Sequence, residues 1–264
     1  MRVMSKGWIA RRRFAGLWLI PILCVAALGW AWQQQESLPD GREVIDRYVE
    51  AIGGKEAILG QGAQHAKARV EIPAQGIGGD MQIYVAPPNK MYTSIEFPGI
   101  GSVRAGYDGE VGWLIHPAMG PMVLEGRMLD QTRHQATMAS PLHPETLIAS
   151  LETVERTEFE GQPCYKVKVT TRWGEEYYEY FSVESGLMVG GERSQASPMG
   201  DVPATMVLSD YREFGGVLSP AKSVQRVMGM EQVITMLEVS DWQRNDSMFA
   251  IPDEIKALME PAKQ

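Results

Sequence analysis

Four histidines are the side chains of this sequence best suited to bind a transition metal or to transfer a proton near neutral pH. They are His65, His116, His134 and His143. No two of them have the His-x-x-x-His spacing that places both ligands on one helix face, and no Cys-x-x-Cys pair supplements them. Local spacing therefore predicts no metal site, and these histidines are interpreted as surface or turn residues.

The sequence contains two cysteines, Cys24 and Cys164. Cys24 lies inside an apolar segment, and Leu23 before it is not the small residue that a lipoprotein cleavage site requires. Cys164 begins a strand-like run and is interpreted as a free thiol in the core or at a sheet edge. The part of the chain after the apolar segment therefore cannot form an internal disulfide.

A Ser-x-x-Lys tetrapeptide, residues 219–222, is the one literal match to a nucleophile motif. The acylating version of this motif needs its serine at the start of a helix, whereas Ser219 lies in a turn that leads into a strand-like run. The sequence has no Gly-x-Ser-x-Gly elbow, no Walker loop and no dinucleotide fingerprint. We therefore expect no enzymatic activity and no cofactor.

Methionine is the residue type that points to a ligand. Fourteen of the 16 methionines lie beyond residue 4, many of them at strand-like or turn positions. Flexible thioether side chains adapt to irregular apolar ligands such as lipids, and they also fill the core of a curved sheet. Composition alone leaves both interpretations open.

The charge distribution separates the first residues from the rest. The whole chain has a net charge of −8, and residues 1–31 hold five cations and no acid. The remainder therefore has 20 cations against 33 acids, a net charge of −13. Such an acidic body is a poor partner for nucleic acid or for an anionic membrane surface.

Residues 14–32 form an uncharged apolar segment that follows the cations. This order is typical of a signal peptide or of a single membrane anchor. Residues 25–27 (Val-Ala-Ala) would serve as a cleavage site, and the 19-residue length would equally cross a bilayer. Both alternatives stay open, and either one predicts that the body is exported.

The elements that follow are one helix and then many strands. Asp40 can cap a helix whose apolar residues recur at intervals of three and four up to Ile52, before Gly53. From residue 64 onward apolar and polar residues alternate, as in antiparallel strands buried on one face. Residues 128–138 and 144–151 interrupt the alternation and are predicted to be helical. About eleven strands with short connections favour one large curved antiparallel sheet, mainly β with plugging helices.

Four segments resemble the LolA-like group of bacterial outer-membrane lipoprotein-sorting proteins. They are residues 45–54, 107–113, 209–220 and 246–252, within a resemblance that spans about residues 40–252. The resemblance implies an unclosed β-barrel, which is a strongly curved sheet with helices plugging its concave side. It also implies an apolar cavity that accepts acyl chains of lipoproteins or other lipids.

On such a sheet, the alternate residues that face inward would line the cavity. The predicted lining consists of Met81, Ile83, Met91, Ile95, Phe97, Val111, Trp113, Phe181, Met206, Leu208 and Leu237. Trp113 is expected to share the inward face because it lies two residues after Val111.

The sequence thus predicts a signal peptide or anchor at 1–32, a linker at 33–39, a LolA-like half-barrel at 40–252 and a C-terminal tail at 253–264. The leading functional hypothesis is a non-catalytic periplasmic protein that binds lipid, lipoprotein acyl chains or another hydrophobic ligand in the cavity of the open barrel. Envelope proteins are a second class of partner, and the inner membrane is a third if residues 14–32 stay uncleaved. The alternatives are a structural or signalling envelope domain with a filled core, and an unrecognised hydrolase.

Overall fold

The computed structural model of the protein describes residues 37–198 and 200–260. The predicted signal peptide or anchor, Cys24 and the first part of the linker lie outside these residues. Within the described ranges, no helix is both long enough and apolar enough to cross a membrane.

The first helix begins where the sequence predicts it. Helix α1 (Gly41–Ala51) has a capping box, in which the Asp40 carboxylate accepts a hydrogen bond from Arg42 N at 2.8 Å and Asp40 N donates to the Glu43 carboxylate at 3.1 Å. A second short helix, α2 (Gly54–Gly60), follows directly and was not predicted. The apolar face of α1 is buried against the sheet.

The described residues form thirteen strands in one antiparallel sheet. They are β1 (Gln64–Ile72), β2 (Ile77–Ala86), β3 (Lys90–Phe97), β4 (Gly101–Tyr107), β5 (Gly112–His116), β6 (Gly120–Leu124), β7 (Ile148–Phe159), β8 (Gln162–Thr171), β9 (Glu176–Ser182), β10 (Met188–Gln195), β11 (Val202–Phe214), β12 (Val217–Val227) and β13 (Met230–Asp241). The prediction of about eleven strands is therefore slightly low, and it omitted the short strand β6.

The strand order is β6-β5-β4-β3-β2-β1-β13-β12-β11-β10-β9-β8-β7. Two meanders are joined by the pairing of β1 with β13, and the edge strands β6 and β7 are consecutive in sequence. Residues 125–147 must therefore connect one edge of the sheet to the other.

Helix α3 (Gly126–Ala136) lies in this connection and shows how strongly the sheet curves. Arg133 Nε donates to the hydroxyl of Tyr107 in β4 at 3.4 Å, while Gln131 Nε2 donates to Glu175, just before β9, at 2.6 Å. One short helix thus contacts both halves of the sheet from the concave side. The fold is an unclosed β-barrel with helices on its concave side, as the sequence predicts.

The second predicted helix, at 144–151, is wrong. A 3-10 turn occupies Ser140–Leu142, and strand β7 begins at Ile148. Ile148 lies opposite Thr171 and Leu151 opposite Val169, so pairing with β8 overrides the local preference.

A 3-10 turn (Asp246–Phe249) and helix α4 (Asp253–Met259) follow the last strand and cover the convex face near β3 and β6. Phe249 and Ile255 are fully buried there. Ion pairs join Arg104 to Glu254 at 2.8 Å and Lys90 to Asp246 at 3.1 Å.

Candidate functional site

Cross-strand register shows which residues share the concave face, because directly paired residues point to the same side of a sheet. Ala66 of β1 lies opposite both Ile83 of β2 and Val239 of β13. A bulge follows Ala66 in the β1–β13 pairing, and beyond it Ala68 pairs with Met236. The centre of the concave face is therefore a continuous apolar surface across three strands.

An open cavity of about 210 Å³ lies on this surface. Its walls come from the end of α2 and from five strands, β1, β2, β11, β12 and β13. The lining residues are Gln61, Gln64, Ala66, Ile83, Val85, Phe214, Ser219, Pro220, Met236 and Val239.

The polar groups of this cavity are two amides and one hydroxyl. Gln61, Gln64 and Ser219 supply them, and none of the lining residues is ionisable. Such a lining can donate and accept hydrogen bonds but offers no charge to pair with an ionic ligand. The site therefore suits an uncharged, mostly apolar group.

The Ser-x-x-Lys match lies inside strand β12, where Ser219 pairs with Arg212 and Lys222 pairs with Ser209. Residues three apart in a strand point to opposite faces of the sheet. Ser219 lines the concave cavity, while Lys222 is exposed. This lysine cannot act on this serine as a base.

Eight of the eleven predicted lining residues lie on the concave face. They are Met81, Ile83, Met91, Ile95, Phe97, Phe181, Met206 and Leu208. Of these eight residues, only Ile83 also lines the cavity. Met91 packs beneath α3, and Phe181, Met206 and Leu208 pack beneath α1 in the main core. The predicted residues thus form one concave surface. The helices cover this surface at both sides and leave it uncovered in the middle.

Three predicted lining residues do not lie on the concave face of a regular strand. Val111 belongs to the turn before β5, where its carbonyl accepts a hydrogen bond from Asp108 N at 3.3 Å. Leu237 is the extra residue of the bulge in β13 and is 60% exposed.

Trp113 is the third predicted lining residue that does not lie on the concave face. It pairs with Gly106, whereas Tyr107, which shares the face of Met91, pairs with Gly112. Trp113 therefore points to the convex face, where it is 1% exposed.

The convex side near Trp113 carries a chain of aromatic contacts. Ring centroids lie 6.0 Å apart for Trp113 and Tyr92, and 6.2 Å apart for Tyr92 and Tyr84. Trp242 then links Tyr84 to Phe249, with centroid distances of 5.2 and 6.0 Å. Trp113 and Phe249 are buried and the other three rings are half-buried, so the five rings pack together on the convex side and face away from the cavity.

A buried polar cluster on the concave side was not predicted. His143 Nε2 lies 2.6 Å from a carboxylate oxygen of Glu179, and both residues are buried. His134 packs against the rings of Trp173 and Tyr177. Burial, together with the positive charge of Arg193, lowers the pKa of His134 to about 4. The interpretation as surface or turn residues holds for His143 as a turn residue, although its side chain is buried, and it is wrong for His134, which lies in α3 and packs against two rings.

Glu175 is the other buried carboxylate of this region. Gln131 Nε2 donates to it at 2.6 Å and Trp173 Nε1 donates at 3.2 Å. The contact with Gln131 joins residues 44 positions apart, so no local motif reveals it. Across the residues that the structure describes, no three His, Cys, Asp or Glu side chains are grouped as metal ligands would be.

Comparison with known proteins gives matches in structure. No family model and no curated protein matches the sequence. A solved LolA superfamily protein from Nitrosomonas europaea is 11% identical, with 81% of this chain and 99% of the other covered and a TM-score of 0.54. A DUF1329 family protein from Desulfovibrio piger is 11% identical, with 81% and 98% covered and a TM-score of 0.55. The chain therefore has the LolA-like fold.

Proposed function

We propose that the protein is a non-catalytic cell-envelope protein that holds an acyl chain, from a lipid or a lipoprotein, in the concave cavity. The observation that carries this proposal is the uncharged, mainly apolar lining between β2 and β12. Burial of methylene groups from water contributes about 0.8 kcal/mol each before ordering costs. An acyl chain could therefore bind without a charged contact inside the cavity.

The cavity volume limits how much of a ligand it encloses. Drug-sized ligands occupy sites of about 300–1,000 Å³, and an apolar cavity of about 150 Å³ holds benzene. At about 210 Å³, this cavity encloses a short acyl chain or one segment of a longer chain. The rest of a longer ligand would lie along the half-buried concave residues Met81, Ile95 and Phe97.

The alternative of a filled core applies to one part of the molecule. Beneath α1, Phe181 belongs to the hydrophobic core that contains the buried face of the helix, and Met206 and Leu208 pack against this core. We therefore assign binding to the open middle of the concave face, and a structural role to the part beneath α1.

Export of the body to the periplasm is part of this proposal and rests on the uncharged segment 14–32 after the N-terminal cations. The expected partners are lipids or lipoprotein acyl chains, and envelope proteins that load or receive them. Cleavage or retention of the segment would decide whether the protein is soluble or tethered to the inner membrane.

The test uses a photoreactive fatty acid and protein purified from its own envelope fraction. Cross-linked peptides should contain Ile83 or Met236. Met236→Glu should lower their labelling at least tenfold, because it places an ion in an apolar site.

The matched control is Leu237→Glu, which makes the same change one residue further along, at the exposed bulge. It should label like the parent. Equal labelling of both variants, or cross-links confined to other segments, would refute the cavity as the binding site. This pair of variants also tests the original prediction that Leu237 contacts the ligand.

A further inference from the structure

Four hairpin turns lie side by side at one end of the sheet. We call them the tip row, and it consists of Pro73–Gly76, Pro98–Ile100, Pro117–Met119 and Met228–Gly229. The strands that they connect are neighbours in the sheet, from β6 to β12. Because strands lie about 4.8 Å apart, eight of them extend about 34 Å.

Contacts join the turns of the row in two neighbouring pairs. Gln75 Nε2 donates to the sulfur of Met230 at 3.6 Å, which joins the first turn to the base of the fourth. A Cβ at Gly101 would lie 3.4 Å from the Pro117 ring, so the second and third turns are in close contact.

The tip row contains no ionisable side chain. It exposes large apolar side chains instead: Met228 is 69% exposed, Ile100 53%, and Met119 and the adjoining Met230 are each 50% exposed. Acidic residues begin two positions away, at Glu71, Glu96 and Glu231. The turn between β4 and β5, at the opposite end of the sheet, carries Asp108 and Glu110.

Exposed apolar side chains in this number mark a contact surface. Three of the four turns expose one or two large apolar side chains at or beside the turn, and the turn Pro73–Gly76 exposes none. These side chains lie on separate hairpin turns rather than on one flat patch that a folded protein could cover. Side chains without charge can enter the boundary between headgroups and acyl chains at no electrostatic cost. We propose that the tip row docks on a lipid bilayer by shallow insertion of these side chains.

The course of α1 agrees with this orientation. Gly41 packs against Leu151, which pairs with Val169 near the end of β8, on the same side as the tip row. The other end of the helix lies at the opposite side, where Ile52 O accepts from Leu218 N at 2.9 Å. The chain therefore reaches α1 from the tip-row end of the sheet. Linker residues 33–39 span at most about 25 Å, so an uncleaved anchor would keep that end near the bilayer.

Tip-row docking does not depend on what the cavity binds. The cavity lies toward the opposite end of the sheet, at Gln64 in the first position of β1 and Phe214 in the last position of β11. A docked molecule would present its cavity away from the membrane surface.

The experiment uses the full chain in phosphatidylcholine vesicles that carry spin-labelled lipid as a quencher. A fluorophore is attached at Met119→Cys in a Cys24→Ala background, since Cys164 is buried. Glu110→Cys provides the matched label at the opposite end. Because both proteins contain residues 1–36, any anchor is common to both. We expect at least twofold stronger quenching at position 119 than at position 110.

A second variant tests whether the turns act together. Met228→Asp should reduce quenching of the label at position 119, and Met228→Leu should not. Aspartate also tolerates the positive φ of 51° at this position. The cavity variant Met236→Glu should leave the quenching unchanged, so that failure of docking and failure of ligand binding are separate outcomes.

Equal quenching at positions 119 and 110 would overturn the proposal. A fluorescence change at position 119 that depends on protein concentration but not on the spin-labelled lipid would also overturn it. Such a change would indicate a second copy of the chain as the partner.

Discussion

His143 and Glu179 form a buried pair on the concave side of the sheet, with 2.6 Å between His143 Nε2 and the Glu179 carboxylate. Burial alone would lower the pKa of His143, but the charge of Glu179 and its hydrogen bond hold this pKa above its ordinary value. Burial alone would raise the pKa of Glu179, but the charge and hydrogen bond of His143 hold it below its ordinary value. The pair connects the segment between α3 and β7 to strand β9.

Removal of one partner should be costly. His143→Ala would leave the Glu179 carboxylate buried without its partner, and we expect the free energy of unfolding to fall by about 3–5 kcal/mol. Urea denaturation at pH 7 measures this loss. The double variant His143→Leu, Glu179→Leu removes both polar groups and should recover most of the stability. A loss under about 1 kcal/mol in the single variant would contradict the pairing.

His134 predicts a dependence of stability on pH. Its pKa is about 6.5 in an unfolded chain and about 4 in the fold, so folding favours the neutral ring. The contribution of His134 to the free energy of unfolding is complete above pH 6.5. It is lost as pH falls toward 4, and the total loss is about 3 kcal/mol. His143 has a raised pKa and loses its contribution only at higher pH, and Glu179 loses its own only below about pH 4.5.

Between pH 6.5 and 4.5, the change in the free energy of unfolding is therefore expected to come from His134 and not from the pair His143 and Glu179. The free energy of unfolding, measured by urea denaturation at several pH values, should fall across this window in the parent. His134→Gln should make the dependence flatter. An unchanged slope in the variant would show that another group causes it.

The contact of Gly106 with Trp113 predicts a steric effect on the convex face. A Cβ at position 106 would lie 2.5 Å from the indole ring, so Gly106→Ala should lower the free energy of unfolding by about 1–3 kcal/mol. Gly62→Ala, where a Cβ meets nothing within 4 Å, is the control and should change it by less than about 0.5 kcal/mol. Labelling by the photoreactive fatty acid should be unaffected by either variant, because Trp113 faces away from the cavity. A neutral Gly106→Ala would argue against this register.

Alternation along single strands was enough to predict much of the concave face. Met81 and Ile83 in β2, and Met91 and Ile95 in β3, share one face as their period of two indicates. The helix after Asp40 was likewise readable from its spacing and cap.

Residues near turns and bulges were not predictable in the same way. Trp113, Leu114 and Ile115 form an unbroken apolar run, so the strand alone does not show which face is inward. The turn after Tyr107 decides this, because it pairs Gly112 with Tyr107 and so places Trp113 opposite Gly106. In β13, the bulge at Leu237 interrupts the alternation that had placed Leu237 inward.

The buried polar cluster was beyond any local pattern. His143 and Glu179 are 36 positions apart and lie on a turn and a strand. Their contact depends on how the connection from β6 to β7 crosses the concave side, which is a property of the strand order. A single sequence gives no signal for it.

The two free edges of the unclosed sheet each oppose strand addition by another molecule. Strand β6 is five residues long and contains Pro121, which cannot donate a ladder hydrogen bond, and α4 packs against it. Strand β7 has two bulges and exposes Glu152, Glu155 and Glu158. Bulges and charges of this kind prevent edge-to-edge aggregation. Both edges of the unclosed sheet therefore carry features that oppose pairing with another copy of the chain.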